Sequence, residues 1–315
     1  MLYSSLSYTI IINLIILLGY HRTNSDHILY DTLVIFGDSN SDNGNVYRLT
    51  NSKFPPSMYF QGRFSNSRVW AEYLTGFNVS NYAYGGATTD NNFIQGYVPL
   101  GPTGVPGVRQ QIISYWQNIN TNLTDFDRTL YVIWAGGNDY LHNRTASASS
   151  ITRSLSNATK DLLMLGAKSI IIFNQPPLQA LPLLRYSTAE SILIDLTSQY
   201  NTNLSVYITK LQNEYEKSSI KLFDLNALIS KVLDSGAPYG IVNTVDPCWS
   251  SQVVNSSNCS NPNSYVFFDN VHFTNRIHQL IADQFQIFIR SSSNRHGFTP
   301  IISLFYVAVI FFSFY

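Results

Sequence analysis

Serine, aspartate and histidine side chains can together turn a hydroxyl into a nucleophile, and this chain places such residues in suggestive surroundings. Ser39 closes Phe36-Gly37-Asp38-Ser39, directly after an apolar run. A serine hydroxyl is a poor nucleophile until an imidazole takes its proton. Alone, a serine in that place reads better as the N-cap of a following helix. Asp269-Asn270-Val271-His272 sets a carboxylate three residues before an imidazole. Within one turn, that spacing lets the carboxylate hold Nδ1–H and leaves Nε2 free to act as base. Acyl transfer also needs donors aimed at a developing oxyanion, and a backbone N–H with an Asn carboxamide can supply them. Gly86, in Asn81-Tyr82-Ala83-Tyr84-Gly85-Gly86, and Asn138, in Gly136-Gly137-Asn138-Asp139, are the candidates. Read singly, each is only a turn or cap residue.

The elements that would position these residues are legible as alternating patterns. Short apolar runs at 32–36 (TLVIF), 79–83 (VSNYA), 130–135 (LYVIWA), 169–173 (SIIIF) and 220–225 (IKLFDL) predict strands. Several are nearly continuous in apolar residues, as parallel strands covered on both faces require. Between them run helical stripes. One is Ile151, Leu155, Ala158, Leu162 and Leu165, stopped by Gly166; another runs from Leu193 to Tyr215. Thr274 is placed to cap a last helix carrying Ile277, Ile281 and Phe285 inward. The segments 99–107 and 238–262 read as surface loops. Alternation of this kind predicts an α/β fold, a three-layer αβα sandwich around a central parallel sheet, flavodoxin-like. Ser39, Gly86 and Asn138 then fall at the carboxyl ends of three strands, the edge where such sheets bind ligands, and the Asp269–His272 loop can reach it.

In combination and order, these blocks resemble the GDSL, or SGNH, hydrolase family, over roughly residues 32–290. The first block is Phe36–Asn45, the second Asn81–Gly86, the third Gly136–Asp139 and the last Asp269–His272. Gly62-Arg63-Phe64-Ser65-Asn66, with Trp70 and Tyr73, is similar to the family's extended lipase/acetylesterase branch. The resemblance implies Ser39 as nucleophile, His272 as base and Asp269 as its orienter. It implies an oxyanion hole from the N–H groups of Ser39 and Gly86 and the side chain of Asn138, with no metal and no cofactor. The implied partner is an ester, most closely the acetyl groups of plant-wall sugars that fungal acetylesterases remove. A lipase or lysophospholipase of the same family is the alternative. A surface glycoprotein that binds carbohydrate without turnover is the rival of a different class. Two positions depart from the family pattern: Asn40 replaces Leu, and Phe273 replaces Pro after the histidine, which predicts a less rigid loop.

Composition bounds the setting. With 19 Lys+Arg and 19 Asp+Glu the chain is formally neutral, which offers no basic footprint for nucleic acid. Aromatic residues reach 14%, which fits either a buried aromatic core or platforms for sugar rings. Residues 9–20 form an uncharged apolar run of signal-peptide length, with a buried strand or helix as the other reading. The expected organisation is a signal peptide over 1–25, a hydrolase domain over 26–293, and a hydrophobic tail over 294–315. The tail reads as a GPI signal, a retained membrane anchor or a buried helix; in the first two cases it would be the chain's sole membrane contact. A secreted or cell-surface protein is the corresponding expectation. Candidate N-glycosylation sites are Asn78, Asn122, Asn143, Asn157, Asn203, Asn255 and Asn258, of which Asn157 lies off its helix's apolar stripe. Outside the cell the two cysteines, Cys248 and Cys259, would pair.

Overall fold

A strand that is apolar on both faces cannot be buried alone, and the three such runs at 32–37, 129–134 and 169–173 solve the problem at the centre of a five-stranded sheet. The computed structural model describes residues 29–98, 101–185, 190–249 and 259–293. The expected signal segment, the tail over 294–315, Asn255 and Asn258 lie outside the described residues. Strands in chain order are β1 (Thr32–Gly37), β2 (Asn78–Asn81), β3 (Gly96–Tyr97), β4 (Gly104–Val105), β5 (Thr129–Trp134), β6 (Ser169–Phe173), β7 (Ser219–Phe223), β8 (Asn243–Pro247) and β9 (Tyr265–Phe267). Five of them form one parallel sheet in the order β2-β1-β5-β6-β7. The helices used below are α1 (Asn45–Leu49), α2 (Val108–Asn118), α3 (Gly137–His142), α4 (Ala148–Met164), α5 (Glu190–Glu214), α6 (Leu225–Asp234) and α7 (Asn275–Ser293).

Strand register explains the aromatic content. Val34 pairs with Tyr131, Ile133 with Ile172, and Phe173 with Phe223. Because side chains alternate along a strand, Phe36 and Tyr131 share one face and Trp134, Phe173 and Phe223 the other. Tyr115 of α2 packs on the first face, 5.8 Å from Phe36 and 5.7 Å from Tyr131. Trp70 and Phe285 of α7 cover the second, 4.9 and 5.2 Å from Phe173. Helices on both faces make the expected three-layer sandwich. Much of the aromatic content is therefore core.

Local signals place the helices. In α4, Ser147 Oγ accepts the Ser150 N–H at 3.2 Å as N-cap, and Gly166, at φ +104°, turns the chain out. Ile151, Leu155, Ala158 and Leu162 are buried, and Asn157 faces solvent. Asn78, Asn122 and Asn143 are exposed too, and Asn203 is half-buried. The segment from Tyr30 to Phe288 is one compact unit.

Three expectations need correction. The segment 99–107 is not all loop: β4 pairs antiparallel with β3. Likewise 238–262 contains β8, which lies parallel to β9. Neither segment shows a period-2 apolar pattern, since β3 and β4 are only two residues each and β8 is largely polar, although Val105 and the β9 residues Val266 and Phe267 are buried. Thr274 does precede α7, but its hydroxyl donates to the Tyr265 carbonyl at 2.7 Å, and Asn66 Oδ1 accepts the Asn275 N–H at 2.8 Å.

Candidate active site

Ser39 stands on the turn that ends β1. The Asp38 carbonyl accepts the N–H groups of Ser41 and Asp42, both at 3.0 Å, so the chain reverses without entering a helix. Ser39 is therefore not an N-cap. The cap work for α1 falls to Asp42, whose carboxylate accepts the N–H groups of Gly44, Asn45 and Val46 at 2.8, 2.5 and 3.1 Å. The same carboxylate accepts Gly85 N–H at 2.8 Å and so ties the turn of β1 to the turn after β2. Gly86 follows at φ +82°, a conformation that a side chain would strain.

Asn138 lies in the first turn of α3, after β5. Gly136 enters that helix at φ +119°, where a Cβ would meet the Tyr200 hydroxyl at 2.6 Å. One amide hydrogen of Asn138 Nδ2 is donated to the Ala87 carbonyl at 2.9 Å, which leaves the second available. Among the described residues, the N–H groups of Ser39 and Gly86 find no acceptor. Three spare donors thus gather on three neighbouring turns, beside the point where strand order reverses between β1 and β5.

The Asp269–His272 turn reaches this edge. His272 Nε2 lies 2.9 Å from Ser39 Oγ, and Nδ1 lies 2.7 Å from Asp269 Oδ2. Asp269 Oδ1 accepts the N–H groups of Val271 and His272, both at 2.7 Å. Burial opposes ionisation of Asp269, but the charge and hydrogen bond of His272, with bonds from Tyr59 and Val271, hold its carboxyl down at about 2. Phe273 does not loosen this loop. It is buried, it lies 5.9 Å from Phe267, and its carbonyl accepts the Ser65 hydroxyl at 2.9 Å. The Gly62–Asn66 block thus clamps the histidine loop through Ser65 and Asn66.

Several contacts here were invisible to sequence patterns. Tyr59 Oη donates to Asp269 Oδ2 at 2.5 Å from a position 210 residues away. Asp139 accepts both the N–H and the hydroxyl of Thr89, and its burial pushes it up to about 7. Burial likewise pushes Asp38, beside the serine, up to about 6. Asp38 and Asp139 stand inside the first and third sequence blocks, and the Asp42 network in the Asp/Asn/Gly-rich string after Ser39, but the partners of these carboxylates left no trace there. Among the described residues no cluster of His, Cys, Asp and Glu is arranged to hold a metal ion.

The assembly opens on a cavity of about 230 Å³ that Ser39, Gly86, Asn138 and His272 all line. Its other walls include Phe64, Trp134, Leu141, Leu178, Leu181 and Leu184. Tyr97 and His142 also line it, their rings 6.2 Å apart. An activated hydroxyl, a base and three donors beside an apolar chamber can perform acyl transfer. Away from the cavity, Cys248 and Cys259 are joined as a disulfide, with Cα atoms 5.0 Å apart.

Comparison with known proteins gives a consistent picture. Residues 33–285 match the family described as GDSL-like lipase/acylhydrolase. A thermolabile hemolysin of Vibrio parahaemolyticus is 29% identical over 83% of this chain and 64% of its own length. A phosphatidylcholine-sterol acyltransferase of Aeromonas hydrophila is 28% identical over 71% of this chain and 67% of its own. An acetylesterase of Hypocrea jecorina is 23% identical over 86% and 92% respectively. The chain spans just under two thirds of the hemolysin's length.

Proposed function

The chain belongs to the GDSL-like lipase/acylhydrolase family, and from that premise we propose that it hydrolyses carboxylic esters through an acyl-enzyme on Ser39. The 2.9 Å contact between Ser39 Oγ and His272 Nε2 carries this reading. Ser39 Oγ gives its proton to Nε2 and attacks the ester carbonyl carbon. The resulting oxyanion takes hydrogen bonds from Ser39 N–H, Gly86 N–H and Asn138 Nδ2. His272 then protonates the departing alkoxide, and water repeats the sequence to free the acid and regenerate Ser39. Asp269 holds the imidazole in the tautomer with hydrogen on Nδ1.

For the substrate, the cavity favours an acyl chain longer than acetyl. An acetyl group brings one methyl, whereas walls of Leu141, Leu178, Leu181 and Leu184 reward further methylenes at about 0.8 kcal/mol each. Removal of acetyl groups from plant-wall sugars is the second reading, and the Hypocrea jecorina acetylesterase likeness supports it. A nitrophenyl ester series separates them. The first reading expects kcat/KM to rise up to roughly fourfold per methylene beyond acetate until the cavity fills. A maximum at acetate would favour the second. A carbohydrate-binding protein without turnover would fail to react with a fluorophosphonate probe.

Export belongs to the same proposal. The disulfide and the exposed asparagines at 78, 122, 143 and 157 support it, because structural disulfides persist in oxidising compartments. No helix among the described residues is long and apolar enough to cross a membrane. Membrane attachment through the tail over 294–315 therefore rests on sequence alone, and release from cells by a phosphatidylinositol-specific phospholipase tests it.

A further inference from the structure

Asp269 is saturated with donors, and one of them has no part in the chemistry just described. Its Oδ1 takes two backbone N–H groups of its own turn, which orient that oxygen whatever the imidazole does. Its Oδ2 takes His272 Nδ1 at 2.7 Å and the Tyr59 hydroxyl at 2.5 Å. The second distance is that of a charge-assisted O–H···O⁻ bond, the stronger class of hydrogen bond. Tyr59 is only half-buried, so water could have satisfied its hydroxyl.

A cage of rings aims that hydroxyl. The Tyr59 ring lies edge-on to Phe268 at 5.3 Å, to Phe64 at 6.1 Å and to Trp249 at 6.1 Å. Phe64 is also 5.1 Å from the His272 ring, so one side chain buttresses both partners of the carboxylate. The backbone of Trp249 is held in turn by its main-chain N–H, donated to the Phe268 carbonyl at 2.8 Å, and by its peptide link to disulfide-bonded Cys248.

We propose that Tyr59 is a positioning residue of the triad, its hydroxyl holding Asp269 Oδ2 toward His272 and limiting how strongly that oxygen binds the Nδ1 proton. This rests on the reading of Ser39, Asp269 and His272 as the triad. An oxygen that already accepts one strong bond is a weaker acceptor for a second. Removing the tyrosine hydroxyl therefore concentrates charge on Oδ2, stabilises protonated His272 and leaves less of the neutral base at a given acidic pH. The carboxylate also loses the donor that keeps it in place while the imidazole cycles between protonation states. The other titratable groups that interact with His272 are Asp38 and His278, and the tyrosine hydroxyl bonds to neither.

The test is the pH dependence of kcat/KM on a soluble nitrophenyl ester. For Tyr59→Phe, the acidic limb should move up by about half a unit. Plateau kcat should fall several-fold at little-changed KM. Incorporating 3-fluorotyrosine at position 59 keeps the ring and strengthens the donor, so the limb should move the opposite way. An acidic limb unmoved in both proteins overturns the proposal and leaves Tyr59 a packing residue, whatever happens to kcat or to the melting temperature. Two limbs moved in the same direction also overturn it. Ser39→Ala measured alongside keeps the two readings apart: if it stays active, the triad assignment fails irrespective of Tyr59.

Discussion

Replacing Asp269 with asparagine tests the triad more sharply than removing it, because the structure dictates how the amide must sit. The two oxygens of Asp269 are not equivalent. Oδ1 faces two N–H donors, both at 2.7 Å, that cannot turn away because they belong to the backbone of the loop. An NH₂ group there would oppose two donors at the cost of two buried hydrogen bonds, so the asparagine oxygen must take that place. Its NH₂ then occupies the Oδ2 position, facing His272 Nδ1 and Tyr59 Oη. The tyrosine hydroxyl can rotate and accept. The imidazole can accept only as the tautomer with its hydrogen on Nε2, and in that state Nε2 cannot take the Ser39 proton. The fold should survive, while kcat falls by about 10⁴, near 5.5 kcal/mol of transition-state stabilisation. Initial rates on a nitrophenyl ester at neutral pH, with circular dichroism to verify folding, measure this directly. A folded Asp269→Asn enzyme within tenfold of wild type would refute the tautomer reasoning and the orienting role together.

Three further expectations follow from the site and its supports. Asn138→Ala removes a donor that the Ala87 carbonyl pre-orients, so kcat should drop roughly 10²–10³-fold with little change in KM; a near-normal kcat would show that another group faces the oxyanion. His278 is wholly buried, its Nδ1 accepts the Trp70 N–H at 3.3 Å, and burial holds it down at about 3 against an ordinary 6.5. Below pH 6.5 the unfolded chain takes up a proton that the native state refuses, so this residue costs stability progressively as pH falls toward 3. His278→Asn keeps an acceptor for Trp70 and cannot titrate. Between pH 7 and 4.5 it should lose about 3 kcal/mol less unfolding free energy than wild type, and parallel urea-denaturation curves would contradict that. Closing the loop of about 12 residues between Cys248 and Cys259 should contribute on the order of 3 kcal/mol, read from a Cys248→Ser/Cys259→Ser double variant. A non-reduced digest of the purified protein that yields two free thiols would contradict the pairing.

What the sequence determined by itself was whatever is written in local pattern or in an ordered set of short blocks. The five parallel strands, the stripe and stop of α4, and the long α5 are properties of contiguous residues, and their periodicity survives without knowledge of neighbours. Ser39, Gly86, Asn138, Asp269 and His272 were legible because each sits in its own short block next to a strand or turn. The structure then brings His272 to 2.9 Å from Ser39 across 233 residues of chain. Tertiary structure alone decided the rest. Tyr59 lies in an undistinguished stretch, and only folding brings its hydroxyl to Asp269. Phe273 predicted a loose loop because rigidity was sought in its own backbone, whereas it comes from Phe267 and Ser65. The small pairs β3–β4 and β8–β9 carry no legible apolar period, since their strands are too short or too polar to display one and their partners come from other parts of the chain. The leucine-walled cavity is likewise assembled from separate segments, and the acyl group it admits depends on volumes that no linear spacing records.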